Sequence, residues 1–176
     1  MTGEVLTLRL RPLAATDETF FQGSVLASGE TPNFLHDYDP DMNWQDYLTA
    51  VDNMSKGVSL PSGYVPCTFL VAVNPDGEIV GRVSIRHHLT DQLAKIGGHI
   101  GYVVVPAHRR KGYATALLKQ GLTIARDLGI EDVLLTCDAD NIGSRKVIEK
   151  CGGELSNDPD HQGETDLRYW IRNAET

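Results

Sequence analysis

Three consecutive cations, Arg109-Arg110-Lys111, lie between a valine-rich predicted strand and a predicted helix that begins near Gly112. The amino-terminal end of a helix carries partial positive charge, so each cation there costs about 0.3–1 kcal/mol. A bound anion removes that conflict, because the first backbone N–H groups of a helix lack partners and bind phosphate well. Gly112 and Ala114 allow a phosphate to approach the backbone closely. The segment therefore predicts a phosphate-binding loop.

A solvated basic loop is the alternative interpretation of the same cations, and composition alone does not decide between the two. The segment matches neither the P-loop pattern G-x-x-x-x-G-K-S/T nor the dinucleotide pattern G-x-G-x-x-G. The chain has 16 Lys and Arg against 24 Asp and Glu, a formal net charge of −8. In so acidic a chain the cation cluster is a local feature and not a result of overall composition.

The run from Ile100 to Ala114 resembles the acetyl-CoA signature of the GNAT acetyltransferases. The core of that signature, Q/R-x-x-G-x-G/A, is matched by Arg109, Gly112 and Ala114. The six-residue pattern is short, but its position makes it specific, since it follows a valine-rich strand and opens an amphipathic helix.

Two later segments strengthen the resemblance. Residues 141–144, Asn-Ile-Gly-Ser, resemble the N-x-x-S/A element of the family, and residues 149–153, Glu-Lys-Cys-Gly-Gly, resemble its E-K-x-G element. The opening Leu-Arg-Leu-Arg-Pro-Leu also resembles the usual first strand. Residues 14–66, which in this family usually shape the acceptor site, match only in outline.

The resemblance implies a set of acetyl-CoA contacts. The backbone of Val103 and Val105 would pair with the pantetheine arm like an added strand, and backbone N–H groups from 110 to 115 would hold the pyrophosphate. Asn141 and Ser144 would lie near the pantetheine and the thioester sulfur. The cofactor-binding residues predicted in this way are Val103, Val104, Val105, Arg109, Arg110, Lys111, Gly112, Tyr113, Ala114, Thr115, Asn141 and Ser144.

Each of these residues also has a structural interpretation. Asn141 is a favourable helix N-cap, a role that is compatible with ligand binding. Ser144 could be a small residue that faces the core, and residues 103–105 would form a buried strand in either case.

The catalytic groups depart from the family pattern. A tyrosine often follows the serine of the N-x-x-S/A element by four residues and serves as general acid, but Ile148 occupies that position here. Ser144 is a weaker candidate for the acid. Many family members carry a glutamate base ten residues before the first residue of the signature, where this chain has His99. Histidine titrates near neutral pH and can accept a proton, but a structural histidine is the alternative.

Bulk composition limits the classes of function. A length of 176 residues fits one domain over 1–176. The acidic charge argues against binding to nucleic acid or to an anionic membrane surface. No segment resembles a signal peptide or a membrane span.

Cysteine and histidine positions argue against a metal site. Cys67, Cys137 and Cys151 are far apart and odd in number, which favours reduced thiols in a cytoplasmic protein. Adjacent His87 and His88 on an extended segment would point to opposite sides and could not easily share an ion. We therefore predict no metal and no thiol nucleophile.

Hydrophobic periodicity predicts an α/β (α+β) fold with a mixed, mostly antiparallel sheet flanked by helices. The predicted strands are 4–13, 68–73, 79–85, 99–105, 132–137 and 165–171, and the predicted helices start near 16–18 or span 43–54, 112–128 and 141–151. In the third of these helices Ala114, Leu117, Leu118, Gly121, Ala125 and Leu128 share one face, and Gly129 ends it. Strands 99–105 and 132–137 flank this helix, which predicts parallel neighbours that diverge around a cofactor cleft.

The predicted function is transfer of an acetyl group from acetyl-CoA to a primary amine of a small molecule or peptide. A non-catalytic acyl-CoA sensor is the alternative, which the missing tyrosine favours. The resemblance also makes a homodimer plausible. Acidic residues in the N-terminal region suggest a cationic acceptor or, alternatively, a solvated acidic face; they include Glu30, Asp37, Asp39, Asp41 and Asp46.

Overall fold

The computed structural model of the protein describes residues 6–25, 34–158 and 165–173. Its strands are β1 (Arg9–Arg11), β2 (Cys67–Val73), β3 (Ile79–Arg86), β4 (Ile100–Val104), β5 (Asp132–Asp138), β6 (Glu154–Leu155) and β7 (Asp166–Arg172). Its helices are α1 (Glu18–Phe20), α2 (Trp44–Lys56), α3 (Asp91–Lys95), α4 (Tyr113–Asp127) and α5 (Ile142–Lys150). This architecture confirms the predicted α/β class with antiparallel sheets and flanking helices. Among the helices of the described ranges, none is long and apolar enough to cross a membrane.

Strands β1 to β4 form one antiparallel sheet in the order β1-β2-β3-β4. The predicted hairpin of β2 and β3 is confirmed, and Gly77 N–H donates to the Asn74 carbonyl at 3.0 Å in its turn. The first strand is shorter than predicted, and the first five residues of the chain lie outside the described ranges. Leu8 is buried, as the leucine alternation predicts.

Each face of this sheet is covered by its own apolar cluster. Helix α4 packs on one face through the buried residues Leu117, Leu118, Gly121 and Ala125. Leu128 was expected on the same buried face, and that prediction is wrong because its side chain is 42% exposed. The helix has ended at that point, and Gly129, with a φ of 80°, turns the chain away.

The opposite face of the sheet carries an aromatic cluster built by the N-terminal segment and α2. Its buried rings are Phe21, Phe34, Trp44, Tyr47 and Phe69. Asn43 caps α2, because its side-chain oxygen accepts the N–H group of Gln45 at 2.9 Å. The helix predicted at 43–54 is therefore confirmed, and so is the loop that follows it.

Strands β5, β7 and β6 form a second antiparallel sheet with β7 at its centre. The two-residue strand β6 was not predicted, since it is too short to show a periodic pattern. The prediction that β4 and β5 are neighbours that diverge is confirmed where they begin, since Leu134 of β5 is bonded to His99 just before β4. The predicted parallel ladder between them does not form, because the strands then separate into two sheets, and β5 pairs with β7 along its other edge.

The two sheets are linked just before β4 begins. The N–H group of His99 donates to the Leu134 carbonyl at 2.7 Å. Gly98 makes this approach possible, because its φ is 61° and a Cβ atom there would collide with the same carbonyl. After this link, β4 and β5 belong to separate sheets.

Candidate functional site

A cleft of about 760 Å³ lies between β4, the start of α4 and the start of α5. It brings together most of the residues that the sequence singled out: Val103, Val104, Arg109, Arg110, Gly112, Tyr113, Ala114, Thr115, Asn141 and Ser144. Three predicted residues do not line it. Lys111 is exposed beside the cleft, Val105 packs against the aromatic cluster, and His99 is buried at the link between the sheets.

The outer edge of β4 faces the cleft, because no strand of the described residues pairs with it. Val105 N–H already donates to the Val80 carbonyl on β3 at 2.9 Å. In an antiparallel pair, residues bonded to the neighbouring strand alternate with residues whose backbone groups point away. The outward groups therefore belong to Tyr102 and Val104, whereas the family resemblance implied Val103 and Val105.

The loop before α4 presents a row of uncapped N–H groups. Gly112, the N-cap of α4, adopts a left-handed conformation with a φ of 91°, and no side chain caps the helix. Ala116 N–H makes the first intrahelical bond, to the Gly112 carbonyl at 3.2 Å. Arg110 is also left-handed, with a φ of 64°, a conformation that costs free energy for a residue with a Cβ atom. The N–H groups of residues 113–115 are thus available to an anion.

The three cations of this loop are exposed, and no acidic side chain in the described ranges forms an ion pair with them. The Arg109 guanidinium donates to the Val104 carbonyl at 3.3 Å, which holds it against the cleft. Exposed cations without ion pairs agree both with an anion site and with the alternative of a solvated basic loop, and the uncapped N–H groups of α4 are the feature that favours the anion site.

The start of α5 brings the Ser144 hydroxyl into the cleft, where it meets the Tyr102 hydroxyl of β4. Asn141 is the N-cap, and its side-chain oxygen accepts the Ser144 N–H group at 3.0 Å. The Ser144 hydroxyl lies 2.9 Å from the Tyr102 hydroxyl. Burial raises the pKa of Tyr102 to about 12, against the opposing effect of its hydrogen bond with Ser144. Tyr102 therefore keeps its proton at neutral pH.

Sequence reasoning missed Tyr102 as a functional candidate. A tyrosine within a predicted strand is ordinarily a packing residue, and its partner is 42 positions away in the chain. Ile148, at the position of the usual family tyrosine, is fully buried and faces the core.

His99 is hydrogen-bonded at the link between the sheets. Its side chain is only 8% exposed, and its Nδ1 atom accepts the Leu134 N–H group at 3.0 Å. Nδ1 therefore carries no proton, and in the neutral ring Nε2 carries it. Burial and then the charge of Arg86 lower the pKa of His99, so the ring is held neutral.

A second cavity of about 240 Å³ opens beside β2 and β3 and is lined by His36, Asp37, Cys67 and Arg86 among others. Burial, followed by the charges of Arg82 and Arg86, lowers the pKa of His36 to about 3. The His36 Nε2 atom lies 3.3 Å from the Ser84 hydroxyl. A neutral imidazole thus forms part of this cavity.

The acidic residues of the N-terminal region have mostly local roles. Asp39 accepts the Asp41 N–H group at 2.9 Å, and Asp46 lies in the first turn of α2, where the helix dipole favours an acid. Asp37 is exposed and lines the second cavity. Glu30 lies outside the described ranges.

The three cysteines are unpaired. Burial raises the pKa of Cys67, of Cys137 and of Cys151, which disfavours the reactive thiolate form of each.

Comparison with known proteins gives one family match. A profile described as "Acetyltransferase (GNAT) domain" matches residues 7–154. No curated protein sequence matches the chain.

Several solved structures share the fold. RimJ from Mycobacterium smegmatis, in complex with CoA-disulfide, is 19% identical with a TM-score of 0.66, and the match covers 94% of this chain and 81% of that one. A protein described as an acetyltransferase, yncA from Salmonella typhimurium with its cofactor acetyl-CoA, is 15% identical with a TM-score of 0.61, covering 96% and 95%. The dodecameric spermidine N-acetyltransferase from Vibrio cholerae is 16% identical with a TM-score of 0.60, covering 94% of each chain.

The buried imidazole of His36 predicts a loss of stability in acid. Its pKa is about 3 in the folded protein and near 6.5 when unfolded, so its contribution is complete above pH 6.5 and declines as the pH falls toward 3. The free energy of unfolding should fall by up to about 1.4 kcal/mol per pH unit in that window from this group. Urea denaturation across that window measures the slope. His36→Gln should flatten it, and an unchanged slope in that variant would contradict the assignment.

Proposed function

Because the chain belongs to the GNAT acetyltransferases, we propose that it transfers the acetyl group of acetyl-CoA directly to a primary amine of a small molecule or peptide. The family profile covers 148 of the 176 residues, from 7 to 154, and the chain is an acyltransferase. The proposal that the donor is acetyl-CoA and the acceptor an amine rests on the cleft, in which an open strand edge, an uncapped helix start and a hydroxyl pair lie together. We treat residues 1–176 as one catalytic domain.

Acetyl-CoA is proposed to lie along the cleft with its pyrophosphate at the start of α4. The N–H groups of residues 113–115 and the exposed cations supply the donors and charge for phosphate. The pantetheine arm would pair with the outward backbone groups of Tyr102 and Val104, as an added strand does. No metal is part of this proposal.

The proposed chemistry is a single transfer without an acyl-enzyme. The amine nitrogen attacks the thioester carbonyl, a new C–N bond forms, and the C–S bond breaks. The leaving thiolate takes a proton from the Ser144–Tyr102 hydroxyl pair, whose donor is then restored from water. The two hydroxyls lie 2.9 Å apart, so a proton can pass between them on its way to the thiolate. Burial raises the pKa of Tyr102 and makes the phenol a weaker acid, which a good leaving group such as a thiolate tolerates. Cys137 and Cys151 are half-buried with raised pKa values, so neither supports a covalent intermediate.

His99 is proposed as a positioning residue rather than as the base. To accept a proton at Nδ1 it would have to break its bond with the Leu134 N–H group, and Nε2 already carries a proton. We therefore propose that water accepts the proton of the amine, while His99 holds β4 at the link between the sheets.

We also propose a compartment and an assembly for the protein. The three free thiols agree with a reducing compartment such as the cytoplasm. A homodimer remains a prediction from the family resemblance.

A thiol-release assay with acetyl-CoA and a panel of primary amines tests the function. We expect amine-dependent release of CoA together with an acetylated product in mass spectrometry. Tight binding of acetyl-CoA without release for any amine would contradict the enzyme and favour the sensor alternative.

Gly112→Asp should abolish measurable acetyl-CoA binding in calorimetry, because a carboxylate would stand where the pyrophosphate approaches the uncapped N–H groups. The Cβ atom itself meets nothing within 4 Å, so the effect should be one of charge and backbone conformation. Gly129→Asp is the matched control, since Gly129 is also left-handed and open but ends the same helix. Equal affinity in a folded Gly112→Asp protein would remove the pyrophosphate site from α4.

Tyr102→Phe and Ser144→Ala should each lower kcat by about ten- to a hundredfold, toward the lower end of general-acid effects because a thiolate is a good leaving group. Acetyl-CoA affinity should change by less than about threefold, since neither hydroxyl is needed to hold the phosphates. Steady-state kinetics and calorimetry measure the two quantities. Tyr38→Phe, which alters a ring of the aromatic cluster, serves as the control. Wild-type turnover in both cleft variants would exclude the hydroxyl pair as the acid.

A further inference from the structure

The guanidinium of Arg86, at the end of β3, is fixed at one of its ends. Its Nη1 atom donates to the carbonyls of Gly97 at 3.1 Å and Gly98 at 3.0 Å. These two bonds use both hydrogens of Nη1. The group is therefore held in place by the turn that leads into β4.

The other edge of the Arg86 guanidinium, formed by Nε and Nη2, has no hydrogen-bond or ion-pair partner among the described residues. This planar edge is suited to a carboxylate, which it can bind through two parallel hydrogen bonds. Asp37, the carboxylate on the same cavity, is exposed and interacts with the Tyr64 hydroxyl, whose pKa it raises. A half-buried arginine with an open edge is thus built into the cavity wall.

The size of this cavity limits what it can hold. Its volume is about 240 Å³, and it opens to solvent. An amino acid or the end of a peptide chain can enter a space of this size.

The wall of the cavity is hydrogen-bonded to β4. His36 on that wall contacts the Ser84 hydroxyl, which donates to the Gly101 carbonyl at 3.4 Å. The side chains of Ser84 and Arg82 pack against Gly101. The next residue of β4, Tyr102, lines the cleft, so the wall of the cavity and the cleft are connected through β4.

We propose that Arg86 binds a carboxylate of the acceptor, so that the acceptor is a small amine that also carries a carboxylate, such as a free amino acid or the end of a short peptide. The inference rests on the proposed acetyl transfer and adds the class of its substrate. Arg86 is then a specificity-determining residue, and the amine end of the ligand is directed toward β4.

Acetyl-transfer kinetics with matched pairs, each an amino acid and its carboxamide, test the proposal. The wild-type protein should prefer the amino acid of a pair by at least about tenfold in kcat/KM, since the carboxamide cannot form the charged pair of bonds. Arg86→Met should abolish the preference and leave the carboxamide rate within about threefold. Arg126→Met, at an exposed position on α4, should retain the preference. Equal rates within pairs in the wild type, or a polyamine preferred to every amino acid, would overturn the inference and leave the proposed function standing.

Binding of N-acetylglycine, a carboxylate without a free amine, tests the Arg86 site independently of acetyl transfer. Calorimetry should detect binding to the wild type and at least about a tenfold loss in Arg86→Met. Arg86→Lys serves if the methionine variant does not fold, because lysine keeps the charge but not the planar edge. Arg86-dependent binding in a protein that acetylates no amine would refute the function and retain the site. Binding that is unchanged in the folded variants would overturn the inference.

Discussion

The hydrogen-bonded link between His99 and Leu134 is the constraint on which the rest of the architecture depends. Two hydrogen bonds join these residues, one from the His99 N–H group to the Leu134 carbonyl and one from the Leu134 N–H group to His99 Nδ1. Position 98 requires glycine, because a Cβ atom there would collide with the Leu134 carbonyl. Because the two sheets touch here and each strand then keeps its own antiparallel partner, β4 is left with an open edge. That edge is the wall of the cleft.

At the other end of β4, the start of α4 also shapes the cleft. Two left-handed residues, Arg110 and Gly112, turn the chain so that the first N–H groups of the helix point into the cleft. The conformation is unfavourable for Arg110 and the helix lacks a cap, so both features weaken the free protein. An anion bound there, as proposed, would offset both and couple the stability of this corner to its ligand.

Much of the site could be predicted from the sequence because it is local. Residues 109–115 and 141–144 are short segments at helix starts, where residue type and position determine which backbone groups are free. The family resemblance then predicted that these two segments belong to one binding site. The fold class and most elements followed from periodicity for the same reason.

The remaining features depend on contacts between distant parts of the chain. Pairing of β5 with β7, the Tyr102–Ser144 contact and the bond at His99 each join residues that are at least 28 positions apart. The hydrophobic pattern within one segment does not show which distant segment it contacts. The exposure of Leu128 was a different kind of error, since helical spacing was extended one residue past the end of α4.

The distance along the chain between His99 and Leu134 also sets the order in which the protein can assemble. Strands β2, β3 and β4 follow one another in the chain, whereas β1 joins β2 from a distant segment and the link to β5 closes a loop of 35 residues that contains α4. Contacts of such separation form late in folding compared with hairpins. The cleft beside β4 therefore takes shape only when the two sheets dock, whereas the turn before α4 can form from local residues alone.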